Sequence, residues 1–347
     1  MKIREKVKPK VLRLGDTVGI VAPASPLYNK SDLVRGAETL EQMGYKPLFG
    51  KTVYKRREYL AGTDQERAAD INAMFANKKV DAIFVTQGGY GSARILKYLD
   101  FSVIRKNPKI FMGFSDISIL HLAIQKKTRL VTFHGPGMAG FNDTELTDYR
   151  KEYLLKALTT VVPIGEIRPT SPRQYIHSIY PGQVEAEIVG GNLSLICSTL
   201  GTPWEIDTKG KILFFEEIDT EPWMIDHLLT HLNNAGKLDE LAGVVVGECI
   251  NCIPYSHHPG FPVTFSLEDI LTEFLEPLKK PAIYGLPMGH SKDMATFPLG
   301  CRAFLDADEK KLFITENGVI EQNQTIVASL ILKRRGRYVR ITIFPFF

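Results

Sequence analysis

Lys109-Ile110-Phe111-Met112-Gly113-Phe114-Ser115-Asp116 is an apolar run that stops abruptly and hands over to Ile117-Ser118-Ile119-Leu120-His121-Leu122. The first half predicts a buried parallel strand and the second the start of a helix. A serine on such a turn has its hydroxyl pushed out of the sheet. The N–H groups that follow lack helical partners and point at whatever the hydroxyl attacks. One turn thus offers a nucleophile and half an oxyanion hole. A plain helix cap is the competing reading of Ser115, because serine is a favoured N-cap residue.

The same handover recurs around this stretch. Thr17–Ala22 predicts a buried strand ended by Pro23 and Pro26, and Ser31–Met43 carries Leu33, Ala37, Leu40 and Met43 at helical spacing. Thr63-Asp64-Gln65-Glu66 is a capping box opening a helix through about Ala76. Val80–Thr86 predicts the next strand, followed by Gln87-Gly88-Gly89-Tyr90-Gly91, and Arg129–Phe133 predicts another. Alternation of this kind specifies an α/β fold, a parallel sheet with helices on both faces. This N-terminal α/β domain, residues 1–160, would carry the nucleophile. Pro163, Pro169, Pro172 and Pro181 mark 161–183 as a linker. A smaller C-terminal β/α domain is expected over 184–325, with strands at Val184–Val189, Ile212–Phe215, Gly243–Val246 and Ala282–Tyr284.

Length agrees with two domains, since 347 residues is long for one core. Neither a signal peptide nor a bilayer-spanning stretch is legible, so a cytoplasmic protein without a membrane partner is expected. The net charge of +4 is unevenly spread. Between Ile326 and Phe347 lie Lys333, Arg334, Arg335, Arg337 and Arg340 and no acid. Removing those five from the 43 basic residues leaves 38 against 39 acidic ones, which argues against nucleic acid as a partner of the body. The tail itself, with Arg335-Gly336 before an alternating run, predicts a basic hairpin. Cys249-Ile250-Asn251-Cys252 is a lone CxxC with no second pair to complete a zinc site, and Cys197 and Cys301 stand apart.

Ligands of open parallel sheets collect beyond the carboxyl ends of the strands. Three loops leave such ends: Pro23–Pro26, Gln87–Gly91 and Gly113–Asp116. The double glycine Gly88-Gly89 lets the backbone approach a ligand and could supply the second oxyanion donor. It is no dinucleotide fingerprint, lacking the third glycine. A nucleophilic serine needs a base, and the base an orienting acid. Among eight histidines, His121, His227 and His231 fall on predicted helices, and His257-His258 lie in a loop without a third ligand. His290, in Leu286-Pro287-Met288-Gly289-His290-Ser291, is the best candidate, with His134 in Phe133-His134-Gly135-Pro136 the runner-up. Glu216 and Glu217 leave a buried strand on opposite faces, so only one of them can meet the histidine.

From about Lys10 to Thr315 the chain resembles the LD-carboxypeptidase family of serine peptidases. The resemblance rests on Val21-Ala22-Pro23-Ala24-Ser25-Pro26, Gln87-Gly88-Gly89-Tyr90-Gly91 with Arg94, and Gly113-Phe114-Ser115-Asp116. His134-Gly135-Pro136, Gly190-Gly191-Asn192-Leu193, Leu213-Phe214-Phe215-Glu216 and Gly289-His290 continue it in family order. It implies a triad of Ser115 as nucleophile, Glu216 as orienting acid and His290 as general base, across a cleft between two domains. The backbone N–H groups of Asp116 and Gly89 would form the oxyanion hole. Gly88, beside the nucleophile, and Asn192, by family position alone, would contact substrate. The activity implied is release of D-alanine from murein tetrapeptides in cell-wall recycling, with a small peptide as partner, no metal, no cofactor, and a homodimer. Relatives that hydrolyse microcin-type peptidyl or acyl nucleotides offer a rival within the family. A non-catalytic two-lobed peptide-binding protein and a metal-dependent hydrolase are rivals outside it. The tail beyond about residue 325 matches nothing in the family pattern.

Overall fold

The structure, a computed structural model, describes residues 5–142, 145–321, 330–334 and 337–341. The first half supplies β1 (Thr17–Val21), β2 (Lys46–Phe49), β3 (Ala82–Val85), β4 (Ile110–Gly113) and β5 (Thr132–His134). The second supplies β6 (Gly165–Glu166), β7 (His177–Tyr180), β8 (Gln183–Asn192), β9 (Ile212–Ile218), β10 (Gly243–Ile250) and β11 (Ala282–Leu286). β12 (Phe297–Leu299), β13 (Arg302–Asp306) and β14 (Lys311–Ile314) follow.

β1 to β5 form a parallel sheet in the order β5-β4-β3-β1-β2. Every residue of β3 and β4 is buried, as expected where helices cover both faces. The helix Asp64–Ala76 opens on Thr63, whose side chain and that of Glu66 cap one another's backbone. Strand order reverses at β1, so the loops after β1 and β3 part at the sheet's switch point. The loop after β4, with Ser115, lies beside them.

The second sheet runs β6-β14-β13-β8-β9-β10-β11-β7. Its centre, β8 to β11, is parallel, and the flanking strands pair antiparallel. Two features depart from the sequence reading. The Pro-rich 161–183 is more than a linker, because β6 and β7 lie within it and close opposite edges of this sheet. β12, far along the chain, leaves the second sheet and pairs antiparallel with β5 of the first. Pro298 is tolerated there because β12 is an edge strand.

One apolar core runs through both sheets, joining Phe84 and Phe133 to Ile188, Phe214 and Phe297. The rings of Phe214 and Phe297 meet edge-on, 5.2 Å apart. In the tail, β15 (Leu330–Arg334) and β16 (Arg337–Ile341) pair antiparallel, and the expected turn at 335–336 lies outside the described residues. No helix among the described residues is long and apolar enough to cross a membrane.

Candidate active site

Ser115 sits at φ +63°, in the left-handed region, which costs a residue with a Cβ about 1–2 kcal/mol. It opens a short turn, Ser115–Ile117, that leads into the helix Ser118–Thr128. Its side chain caps neither element, so the capping alternative does not hold. Behind the turn His121 donates from Nε2 to the Gly113 carbonyl at 2.9 Å. Burial pushes the His121 pKa down to about 4, which keeps that ring neutral.

Gly88 packs directly on Ser115. A Cβ at this position would lie 2.8 Å from Ser115 Cβ, 3.0 Å from Oγ and 3.3 Å from the Asp116 nitrogen. Gly88→Ala should therefore displace the hydroxyl and lower kcat by about 10²-fold. Steady-state kinetics alongside a thermal melt would check this, and an unchanged kcat in a folded variant would refute it. The Gly88 carbonyl accepts from Ser25 N–H at 3.3 Å. The described residues contain no cis peptide bond, so the Gly89 N–H points away from Ser25. The Asp116 side chain turns inward and accepts from the Ser92 N–H at 2.8 Å. Burial pushes its pKa up, and the Ser92 bonds and Arg67 pull only part of the way back. What Asp116 offers the site is its backbone.

β9 is buried from Ile212 through Glu217, and its alternation separates the two acids. Glu216, wholly buried, accepts through Oε2 from His290 Nδ1 at 2.6 Å. Gly289 makes that approach possible, since a Cβ there would stand 2.8 Å from the same carboxylate oxygen. Glu217 faces the other way. It accepts from Asn192 Nδ2 at 2.8 Å and from the Ser194 N–H and hydroxyl at 2.8 and 2.7 Å. Asn192 also caps the helix Leu193–Ser198 through Leu195 N–H. Its side-chain amide is thus spent inside the second domain.

Burial works against a charged His290, but the hydrogen bond and charge of Glu216, with Glu217 and Asp219 behind it, outweigh burial. The imidazole is held above the ordinary histidine pKa. Ser115 and His290 line one cleft of about 320 Å³ with Gly88, Gly89, Phe114 and Arg150. The Phe114 ring packs on the imidazole at 4.8 Å. An activated hydroxyl, a base oriented by a buried acid and N–H donors beside the hydroxyl are the parts that acyl transfer needs.

His134, the runner-up base, is a core residue. It is fully buried, 5.1 Å from the Phe214 ring and 5.2 Å from that of Phe297, and burial drives its pKa well below the ordinary value. His227, His231, His257 and His258 are exposed. The four cysteines are free thiols, and among the described residues no cluster of three or more His, Cys, Asp or Glu could hold a metal. Sequence reasoning passed over Arg150. In Tyr149-Arg150-Lys151 it looks like a solvated helical cation, yet it is 7% exposed and lines the cleft.

Residues 18–135 match the LD-carboxypeptidase N-terminal domain, and 185–305 the C-terminal domain of the same family. A relative from Bacillus subtilis (strain 168), named "Probable murein peptide carboxypeptidase", is 42% identical over 318 residues, covering 90% of this chain and 96% of its own. The microcin C7 self-immunity protein MccF of Escherichia coli is 30% identical over 88% of this chain and 94% of its own. The unliganded MccF structure superposes with a TM-score of 0.80 at 28% identity, covering 90% of this chain and all of that one. The muramoyltetrapeptide carboxypeptidase from Oxalobacter formigenes gives 0.75 at 28% identity, covering 87% and 99%. The chain belongs to the LD-carboxypeptidase family.

Proposed function

We propose that this chain is a serine LD-carboxypeptidase that hydrolyses the bond before the C-terminal D-alanine of murein tetrapeptides. The observation that carries the reading is the buried Glu216–His290 bond at 2.6 Å, opening on the cleft that also holds Ser115. In this reading Ser115 Oγ attacks the carbonyl of the L-centred residue, and His290 Nε2 takes its proton. The imidazolium is stabilised by Glu216 through Nδ1. The N–H groups of Asp116 and Gly89 receive the developing oxyanion. His290 returns the proton to the leaving D-alanine amine, and water clears the acyl-enzyme. No step calls for a metal or cofactor.

The murein substrate is favoured over a microcin-type nucleotide conjugate by the 42% identity to the Bacillus subtilis relative against 30% to MccF. A cytoplasmic location rests on the sequence reading above, and a homodimeric assembly on the family resemblance alone. Mass spectrometry of wild type and Ser115→Ala with lysine- and diaminopimelate-type tetrapeptides, beside an aminoacyl-sulfamoyl adenosine, tests the proposal. Loss of one alanine from a tetrapeptide, by wild type only, is expected. Turnover of the nucleotide conjugate without alanine loss would transfer the chain to the immunity branch.

A further inference from the structure

A carboxypeptidase must hold the free carboxylate at the end of its substrate. That carboxylate lies only two covalent bonds from the leaving nitrogen, so its anchor belongs beside the group that protonates this nitrogen, on the far side from the oxyanion hole. In the reading above that group is His290.

Arg150 is tied to the loop that carries His290 and lines the same cleft. It stands on the helix Asp148–Thr159 of the first half, yet its Nη2 donates to the carbonyl of Ser291, the residue after His290, at 2.9 Å. Thr147, one turn earlier, donates to Asp293 Oδ1 at 2.5 Å, so the same helix end is fastened twice to the His290 loop. Among the described residues lining the cleft, Arg150 is the only permanently charged cation. Glu145 and Asp293 offset its burial only in part. Nη1 donates to the Glu145 main-chain carbonyl at 3.1 Å, whereas the nearest Glu145 carboxylate oxygen is 3.6 Å away on a side chain 49% exposed. The Nε–H is buried with no acceptor among the described residues. A buried guanidinium gains more from a carboxylate than an exposed one does, because water no longer competes for it. Pro136, Gly137, Ala139 and Gly140 line the same cleft as Ser115 and Arg150.

We infer that Arg150 anchors the terminal carboxylate of the leaving D-amino acid, an assignment that rests on the carboxypeptidase reading. It makes the enzyme an exopeptidase, and Glu145 competes with the substrate for the same guanidinium.

The test compares tetrapeptides ending in D-alanine and in D-alaninamide. Wild type should prefer the free acid by roughly ten- to hundredfold in kcat/KM, mostly through KM. Arg150→Lys should shrink that preference about tenfold, losing more on the acid than on the amide. Glu145→Gln, on a side chain 49% exposed, should lower KM for the acid severalfold and change KM for the amide less. Equal losses on acid and amide in Arg150→Lys would overturn the inference, reducing Arg150 to a tether of the His290 loop. So would a wild type indifferent to the terminus, whatever the stability of the variant. A wild type that cleaves neither peptide would instead strike down the murein reading itself.

Discussion

Ser115→Ala should lose tetrapeptide hydrolysis by roughly 10⁴–10⁶-fold while keeping its fold and its affinity for the peptide. The hydroxyl is the only group removed, and it caps no helix, so nothing structural goes with it. Stability should separate two variants that are equally dead. Alanine keeps a Cβ at φ +63° and therefore keeps the strain, whereas Ser115→Gly relieves it. Against that relief stands the larger chain entropy that glycine loses on folding. The balance should leave Ser115→Gly about 0.5–1 kcal/mol more stable than Ser115→Ala in urea unfolding. A glycine variant less stable than the alanine one would show that the turn holds no strain. Residual activity within tenfold of wild type in Ser115→Ala would remove Ser115 from the chemistry.

Glu216→Gln should cost about 10⁴-fold in kcat and also move the pH profile. The glutamine amide can donate to His290 Nδ1, which leaves the proton on Nε2, where it cannot accept another from serine. The wild-type base works when neutral, so kcat/KM rises with pH through a His290 pKa held above the ordinary value of about 6.5. Removing the Glu216 charge leaves only the more distant Glu217 and Asp219 to oppose burial, and the acid limb of the residual activity should move to lower pH. Stability carries the same signature with its own sign. The Glu216–His290 pair contributes fully below the unfolded histidine pKa and loses that contribution as pH rises through the raised folded one. The stability gap between wild type and Glu216→Gln should therefore narrow across that window. A limb that stays in place in the variant would mean that Glu216 does not set the titration of His290.

Legibility in the sequence followed the range of the interactions. The Ser115 turn could be read because strand, turn and helix are contiguous, and backbone sterics there are local. The division of labour between Glu216 and Glu217 followed from the two-residue period of a strand. His134 and His290 could not be separated so easily, since both follow a short strand and enter a glycine- and proline-containing loop. What distinguishes them is a cage of Phe114, Phe214 and Phe297, brought together from three distant segments. Arg150 was hidden for the same reason. Its helix looks polar, and only the return of the 290–293 loop covers the guanidinium. Asn192 was placed by family position alone, which does not reveal that Glu217 and a helix end occupy its amide. β6 and β7 are short and lie in proline-rich sequence, where pattern carries little weight. The pairing of β12 with β5 spans nearly half the chain, beyond the reach of any window.

That last pairing governs how such a protein can be inherited. The loop bearing His290 begins on β11 in one sheet and ends on β12 in the other, so its two ends are pinned to different halves of the molecule. A recombination event cutting the gene between the two matched domains would deliver a first half missing its edge strand and a second half with a strand that has no sheet to join. The boundary that looks like a seam in the sequence is therefore not one along which these halves can be exchanged. Ser115 and His290 must descend together.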